Sequence, residues 1–364
     1  MERYAVITVL DNLSETSMPW NEFVLYRHNQ DKDLKQYVIV CDSAKIINSI
    51  PEDLDITFTG FNSKAIRQTM KRILSECKAS QLDFIVHLHQ SKSAAYFNLA
   101  TFFSGYAKKT LFTVHSQFPA YNLQNKIASL FNALHAKRIN NVSATSYTAY
   151  PGLVKKLKGS RITYIENGVD IDRIDHIISN HKIKKCRRKR FVYVARMIPL
   201  KRHEFMIDVF HDINLDYELV LIGAEDPNGK IRNLIQAYGM SDKVVLTGLI
   251  PREELFTLLA DSDVYVSTSS IEGLPVSVLE AMAVRLPAVV SDIDPHKEIL
   301  RACDAIDILP FDKAMWVQKI KEIIQTSDDV LEERGAKCRD AVVATFSLKA
   351  MHQRYYAEYE KLLR

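Results

Sequence analysis

Short runs rich in Val, Ile, Tyr and Phe alternate with longer helical stretches along almost the whole chain. In the first half these runs are YAVITVL, QYVIVCD, LDFIVHLH, TLFTVH, NNVSATS and RITYIEN; in the second they are FVYVAR, YELVLIG, KVVLTG, DVYVSTS and PAVVSD. Most are apolar at consecutive positions, not at every second one. That pattern belongs to strands covered on both faces, the condition of a parallel sheet packed between helices. Most gaps are long enough for a crossover helix. At 364 residues the chain also exceeds the ~250–300 residues at which single cores stop growing. The expected fold class is α/β: two doubly wound, Rossmann-like domains, whose strand carboxyl ends carry the ligands and face each other across a cleft.

The expected division is residues 1–172 for the first domain, a polar and basic linker at 173–190, a second domain at 191–346, and a helix at 347–364 packing back toward the first domain. At 47% hydrophobic and 25% charged the chain matches ordinary globular proteins. No stretch reaches ~18 uninterrupted apolar residues, the length a membrane-crossing helix needs, and MERYAVITVLDNLSE lacks the form of a secretory signal. Cys41, Cys77, Cys186, Cys303 and Cys338 are scattered without CxxC spacing and read as reduced thiols of a cytoplasmic protein.

The net charge of +4 conceals an asymmetry. Residues 1–180 carry 21 Lys and Arg against 16 Asp and Glu; 181–190 (HKIKKCRRKR) adds seven cations; 191–364 carries 20 against 28. From Thr101 to Ile165 there is no acid and there are nine cations. A basic first half predicts an anionic partner for it: a phospholipid surface, a phosphorylated acceptor or nucleic acid. The aromatic stretch AAYFNLATFFSGYA reads as a buried helix, and HKIKKCRRKR as a hydrated hinge.

The most informative segment is SSIEGLPVSVLEAMA, from Ser269 to Ala283. It follows a strand, turns at Glu272 and Gly273, and starts a helix at Pro275, which fits a first helical turn. The amides around Gly273, Leu274 and Val276 then form an anion site suited to a diphosphate, Gly273 permits close backbone approach, and Glu280 can accept both hydroxyls of a ribose. After the strand FVYVA come Arg196 and Lys201 in VARMIPLKRHEF, two cations able to neutralise a leaving diphosphate without a metal. Five Asp-x-Asp pairs are too frequent to mark a metal site, and His87-x-His89 lacks a third ligand at useful spacing.

Together these segments resemble retaining GT-B glycosyltransferases of family GT4. Glu272 to Glu280 matches that family's E-x7-E signature, and VARMIPLKRHEF resembles its pyrophosphate segment. LVLIG, KVVLTGLI and ENGVD extend the similarity, which is strong over roughly residues 160–300. The resemblance implies that the second domain binds a nucleotide sugar: Arg196 and Lys201 on the diphosphate, Glu280 on the ribose, Glu272, Gly273, Leu274 and Pro275 on sugar and phosphate, and backbone near Leu249 and Ile250 on the base. It implies that His115, at the end of TLFTVH, is an active-site residue beside Glu272 and that His89 lines the acceptor side. The family's Gly-rich first loop is replaced here by DNLSETSMPWNEFVLYRHN, which predicts that Ser14, Thr16 and Ser17 take over its contacts. No metal or other cofactor is expected. The expected partners are a UDP- or GDP-sugar, a saccharide or lipid-linked acceptor of surface-polysaccharide synthesis and an anionic membrane face, with no nucleic acid. The expected location is the cytoplasm, at the inner face of the plasma membrane. The same residues leave open another GT-B activity, such as a sugar-nucleotide epimerase, and a non-enzymatic anion- or nucleic-acid-binding protein.

Overall fold

The computed structural model describes residues 4–13, 17, 19–31, 34–42, 50–115, 123–143 and 158–364. The chain forms two compact units, one of Met1–Glu166 together with Met351–Arg364, the other of Asn167–Ala350.

The first unit is built on a seven-stranded parallel sheet: β1 (Ala5–Leu10), β2 (Lys35–Val40), β3 (Asp55–Phe58), β4 (Phe84–Leu88), β5 (Thr110–Val114), β6 (Arg138–Asn141) and β7 (Ile162–Tyr164), in the order β3-β2-β1-β4-β5-β6-β7. The topological switch lies between β1 and β4. Helices α1 (Tyr26–Gln30), α2 (Ser63–Ala79), α3 (Ser91–Ala100) and α4 (Leu123–His135) connect its strands. All six positions of β1 are buried, which explains the unbroken apolar run. The glycine-free segment after β1 is not an open loop: Pro19–Leu25 forms a π-helical stretch running into α1. The Asp11 carboxylate accepts the Ser93 amide at 2.9 Å and so ties the end of β1 to the start of α3.

The second unit carries a six-stranded parallel sheet: β8 (Lys189–Val194), β9 (Tyr217–Ile222), β10 (Val244–Gly248), β11 (Val264–Ser267), β12 (Ala288–Ser291) and β13 (Asp307–Leu309), in the order β10-β9-β8-β11-β12-β13. Its helices are α5 (Ile171–Ser179), α6 (His203–His211), α7 (Lys230–Ala237), α8 (Arg252–Ala260), α9 (Val276–Ala283), α10 (Asp294–Leu300), α11 (Lys313–Gln325) and α12 (Asp328–Thr345). The last helix, α13 (Leu348–Leu363), starts in this unit, and from Met351 onward it belongs to the first.

Two sequence expectations are corrected. Residues 173–190 are not a free linker. All of 173–179 lies in α5, and the basic stretch that follows is fastened to acids and carbonyls of the second unit: His181 to Asp261 at 2.8 Å, the Lys184 amide to Asp261 at 2.7 Å, Lys185 to the Ser262 carbonyl at 2.6 Å, and Arg188 to Asp216 at 2.9 Å. The acidity of the second half thus answers this stretch. The aromatic segment is not one buried helix either. α3 stops at Ala100, where Thr101 bonds back to the Phe97 carbonyl at 2.8 Å, and Gly105 turns the chain at φ +77°. Phe102 and Phe103 are left 50% and 98% exposed.

Helix α13 completes the interior of the first unit with Tyr355 and Tyr359, both fully buried. Arg27, also fully buried, donates from Nη2 to the Tyr359 hydroxyl at 2.8 Å. Because arginine offers only donors, the hydroxyl hydrogen turns to His87 Nδ1 at 2.7 Å, and His87 donates from Nε2 to Thr113 at 2.8 Å. Among the described residues no carboxylate pairs with Arg27. Tyr359→Phe deletes the centre of this chain, and loss of a buried partner of a charged group is expected to cost roughly 2–3 kcal/mol in urea unfolding. A loss below roughly 0.5 kcal/mol, the range of an ordinary surface change, would show that the hydroxyl is not an essential link.

Candidate active site

In a parallel sheet the loops at the strand carboxyl ends converge where the order reverses, here at β8 and β11. The loop after β8 carries Arg196 and then a short 3-10 turn, Pro199–Lys201. Gly223, after β9, shapes this loop from behind. Its φ is +143°, and a Cβ there would lie 2.2 Å from the Ala195 carbonyl oxygen, so only glycine lets the two loops approach this closely.

The loop after β11 is bound to the loop after β8 at several points. The Ser270 amide donates to the Leu200 carbonyl at 2.8 Å and its hydroxyl to the same oxygen at 3.0 Å. Thr268 bonds the Lys201 and Arg202 carbonyls at 3.2 and 3.1 Å. The buried Tyr193 hydroxyl donates to the Lys201 carbonyl at 2.8 Å and lies 3.0 Å from the Ser269 hydroxyl. Across this seam Lys201 Nζ pairs with Glu272 Oε1; the side chains are only 20% and 14% exposed. Arg196 is exposed on the same rim and makes no side-chain hydrogen bond or ion pair with the described residues.

Pro275 occupies the N-cap of α9, at φ −76° and ψ 98°, one position before the helical turn expected for it. No side chain caps the helix, so its first amides have no intrahelical partner. Gly273 is partly open, while Leu274 and Pro275 are buried; Asn167 holds the Leu274 carbonyl at 3.2 Å. One turn into α9, the buried Glu280 pairs with Arg252 at the start of α8. Leu249, 69% exposed, and Ile250 follow β10 on the same edge of this sheet. His296 donates from Nδ1 to the Ser291 carbonyl at 2.7 Å; its pKa falls to about 4, chiefly by burial, with Glu272 and Lys201 close enough to modulate it. The structure therefore brings Lys201, Glu272 and the Gly273–Pro275 turn together. Sequence reasoning missed Arg252, Tyr193 and His296, since none stands at a motif spacing and each is placed by packing; Asn167 lies in ENGVD, but its bond to Leu274 was not foreseen.

In the first unit, His115 and His89 sit just past the carboxyl ends of β5 and β4, with His89 Nδ1 2.9 Å from His115 Nε2. His89 is only 2% exposed, so it stands behind His115 instead of lining a surface, contrary to the expectation for it. Ser17 is buried and its hydroxyl has no partner among the described residues; Ser14 and Thr16 lie outside the described residues. Among the described residues no group of three His, Cys, Asp or Glu side chains could hold a metal ion.

His87, His89, His115 and His352 surround Phe23, with ring centroids 4.4–5.9 Å from it. Burial holds all four neutral: His87 and His89 well below the ordinary 6.5, His115 at about 4 and His352 at about 3. Neither His89 Nε2 nor His115 Nδ1 has a partner among the described residues, and one of them must carry a hydrogen. The two rings therefore share one tautomer: either both carry Nδ1–H, with His89 donating, or both carry Nε2–H, with His115 donating.

The family models report the same two-part organisation. "Glycosyl transferases group 1" matches residues 176–339 and "Glycosyltransferase Family 4" matches residues 24–173. The O-antigen chain mannosyltransferase RfbU of Salmonella typhimurium is 28% identical over 228 residues, 60% of this chain and 62% of that protein. The Escherichia coli UDP-Gal:alpha-D-GlcNAc-diphosphoundecaprenol alpha-1,3-galactosyltransferase is 26% identical over 201 residues, 52% of this chain and 51% of that protein. The chain thus spans about half to three fifths of these relatives. Anabaena HepE, solved in complex with UDP and glucose, superposes with a TM-score of 0.73 at 14% identity, covering 99% of this chain and 100% of that one; this likeness is one of GT-B fold.

Two outcomes test the histidine cluster. Nitrogen-15 NMR of the imidazoles should find His89 and His115 in the same tautomer, both Nδ1–H or both Nε2–H; opposite tautomers would break the hydrogen bond between them. The unfolded chain takes up histidine protons from about pH 6.5 downward, whereas the folded His115 does so only near 4. The unfolded state binds more protons in that window, so stability falls as pH drops from 6.5 toward 4. A melting temperature that stays flat across this range would contradict the burial of these rings.

Proposed function

The chain belongs to the glycosyl transferases group 1 of glycosyltransferase family 4, and from that premise we propose that it transfers a sugar from a nucleotide-diphosphate donor to a hydroxyl of a saccharide or lipid-linked saccharide in surface-polysaccharide synthesis. The donor is a UDP- or GDP-sugar. The observation that carries this reading is the seam at the β8–β11 switch, where Lys201, Glu272 and the uncapped start of α9 share one rim with the unpaired Arg196. A diphosphate there would meet two cations and free helix amides, and Glu280, held by Arg252, would receive the ribose hydroxyls.

The transfer retains configuration and needs no metal, since Lys201, Arg196 and the helix start stabilise the leaving diphosphate. The acceptor hydroxyl attacks from the face the diphosphate leaves, and a phosphate oxygen takes its proton. Glu272 orients the sugar, and Leu249 and Ile250 flank the base. UDP as the carrier is supported by the ligand of the Anabaena structure, and a polyprenyl-linked acceptor by the name of the Escherichia coli relative. The reaction would run in the cytoplasm, where nucleotide sugars are made.

Two measurements check this. Glu272→Gln and Lys201→Ala should each lower turnover by about 10²-fold, the scale for removing one stabiliser of developing charge. In a thermal-shift panel, UDP or GDP compounds should raise the melting temperature, because a ligand of the folded state stabilises it. Near-normal turnover in both variants, with no nucleotide shifting the melt, would defeat the assignment.

A further inference from the structure

The first unit carries an apolar and basic surface that the donor chemistry does not use. Phe103 is 98% exposed, Leu99 62%, Phe102 50%, and Ile127, on the neighbouring helix α4, 60%. Phe102 stacks against Phe131 and His135 of that helix, at 6.4 and 5.5 Å between centroids, so the exposed rings are held in place by a rigid element. Leaving so much apolar area in water is unfavourable, and contiguous exposed groups of this kind mark interaction surfaces.

The topology sets cations beside these rings. Phe102 and Phe103 lie in the connection leading to β5, at the amino edge of the sheet. Because β5, β6 and β7 are adjacent and parallel, their starts fall along that one edge. Lys108 and Lys109 precede β5, Lys137 and Arg138 open β6, and Lys158 and Arg161 precede β7. Lys109 pairs with Asp83 and Arg138 with Glu358. The other four have no carboxylate partner among the described residues. Lys158 is half-buried and donates to the Ala136 carbonyl; burial pushes its ammonium down to about 8, with Arg161 and Lys137 lowering it further.

We propose that this edge docks on an anionic lipid bilayer, with Phe102, Phe103 and Leu99 entering the headgroup region and Lys108, Lys137 and Arg161 contacting lipid phosphates. Charge selects this occupant. A second copy of the chain would bring the same cations against one another, whereas an anionic bilayer supplies the opposite sign together with an apolar layer below it. The proposal does not rest on the donor site, which lies in the other unit.

The test is sedimentation of the full chain with vesicles of phosphatidylcholine containing 30% phosphatidylglycerol, and with pure phosphatidylcholine. Binding is expected only to the anionic vesicles, weakened by high salt. Phe103→Ser should weaken it by about tenfold, as expected from withdrawing one phenyl ring from an apolar layer. Lys108→Glu with Arg161→Glu should weaken it by at least about 25-fold, some fivefold per lost cation. Both sites are exposed, and an unchanged melting temperature with an unchanged UDP response would confirm intact folding. Absence of binding to anionic vesicles, binding that both variants retain in full, or a concentration-dependent dimer that Phe103→Ser abolishes without any vesicle binding would each overturn the proposal.

Discussion

The contact between Lys201 and Glu272 holds the candidate site in shape. It joins the loops that leave β8 and β11, the two strands at which the second sheet reverses its order. Backbone bonds from Ser270 to Leu200 and the hydroxyls of Thr268 and Tyr193 fix the same seam. The pair is largely shielded from water, so salt screens it less than it would a surface pair. An ammonium carries three hydrogens. Lys201 can keep Glu272 and still meet an arriving phosphate, so the site is arranged before its ligand comes.

Both units pair acids with bases, as in Glu280 with Arg252, Arg190 with Glu218 and Arg138 with Glu358. The first unit also buries Arg27, which is answered by a phenol and a run of neutral rings instead of a carboxylate. Its positive field and the burial around it both disfavour protonated histidine, and so His87 stays a hydrogen-bonding group instead of becoming a second buried cation.

Much of this was legible in the sequence because parallel strands are written as continuous apolar runs. Eleven runs correspond to strands; β3 and β13 escaped because DITF and DIL are short edge segments with polar or half-exposed positions. The E-x7-E and R-x4-K spacings led to Glu272, Glu280, Arg196 and Lys201 because each is set by one strand-to-helix turn. Arg252, Tyr193 and Tyr359 were not legible, because their partners lie 28, 76 and 332 residues away and are chosen by packing alone. HKIKKCRRKR misled for a related reason. A basic string looks hydrated until the acids that bind it, such as Asp261 and Asp216, are known to lie beside it. Phe102 and Phe103 misled in the opposite sense, since hydrophobicity alone does not say which rings a helix end will leave in water.

Helix α13 gives the first unit a peculiar order of birth. Its sheet is complete on the nascent chain once β7 has been made, yet the phenol that engages Arg27 is added only 332 residues after that arginine. Throughout synthesis of the second unit, Arg27 lacks the hydroxyl it binds in the finished fold, and His87 keeps only Thr113. Closure of the part made first is thereby tied to residues that follow the second unit in the chain.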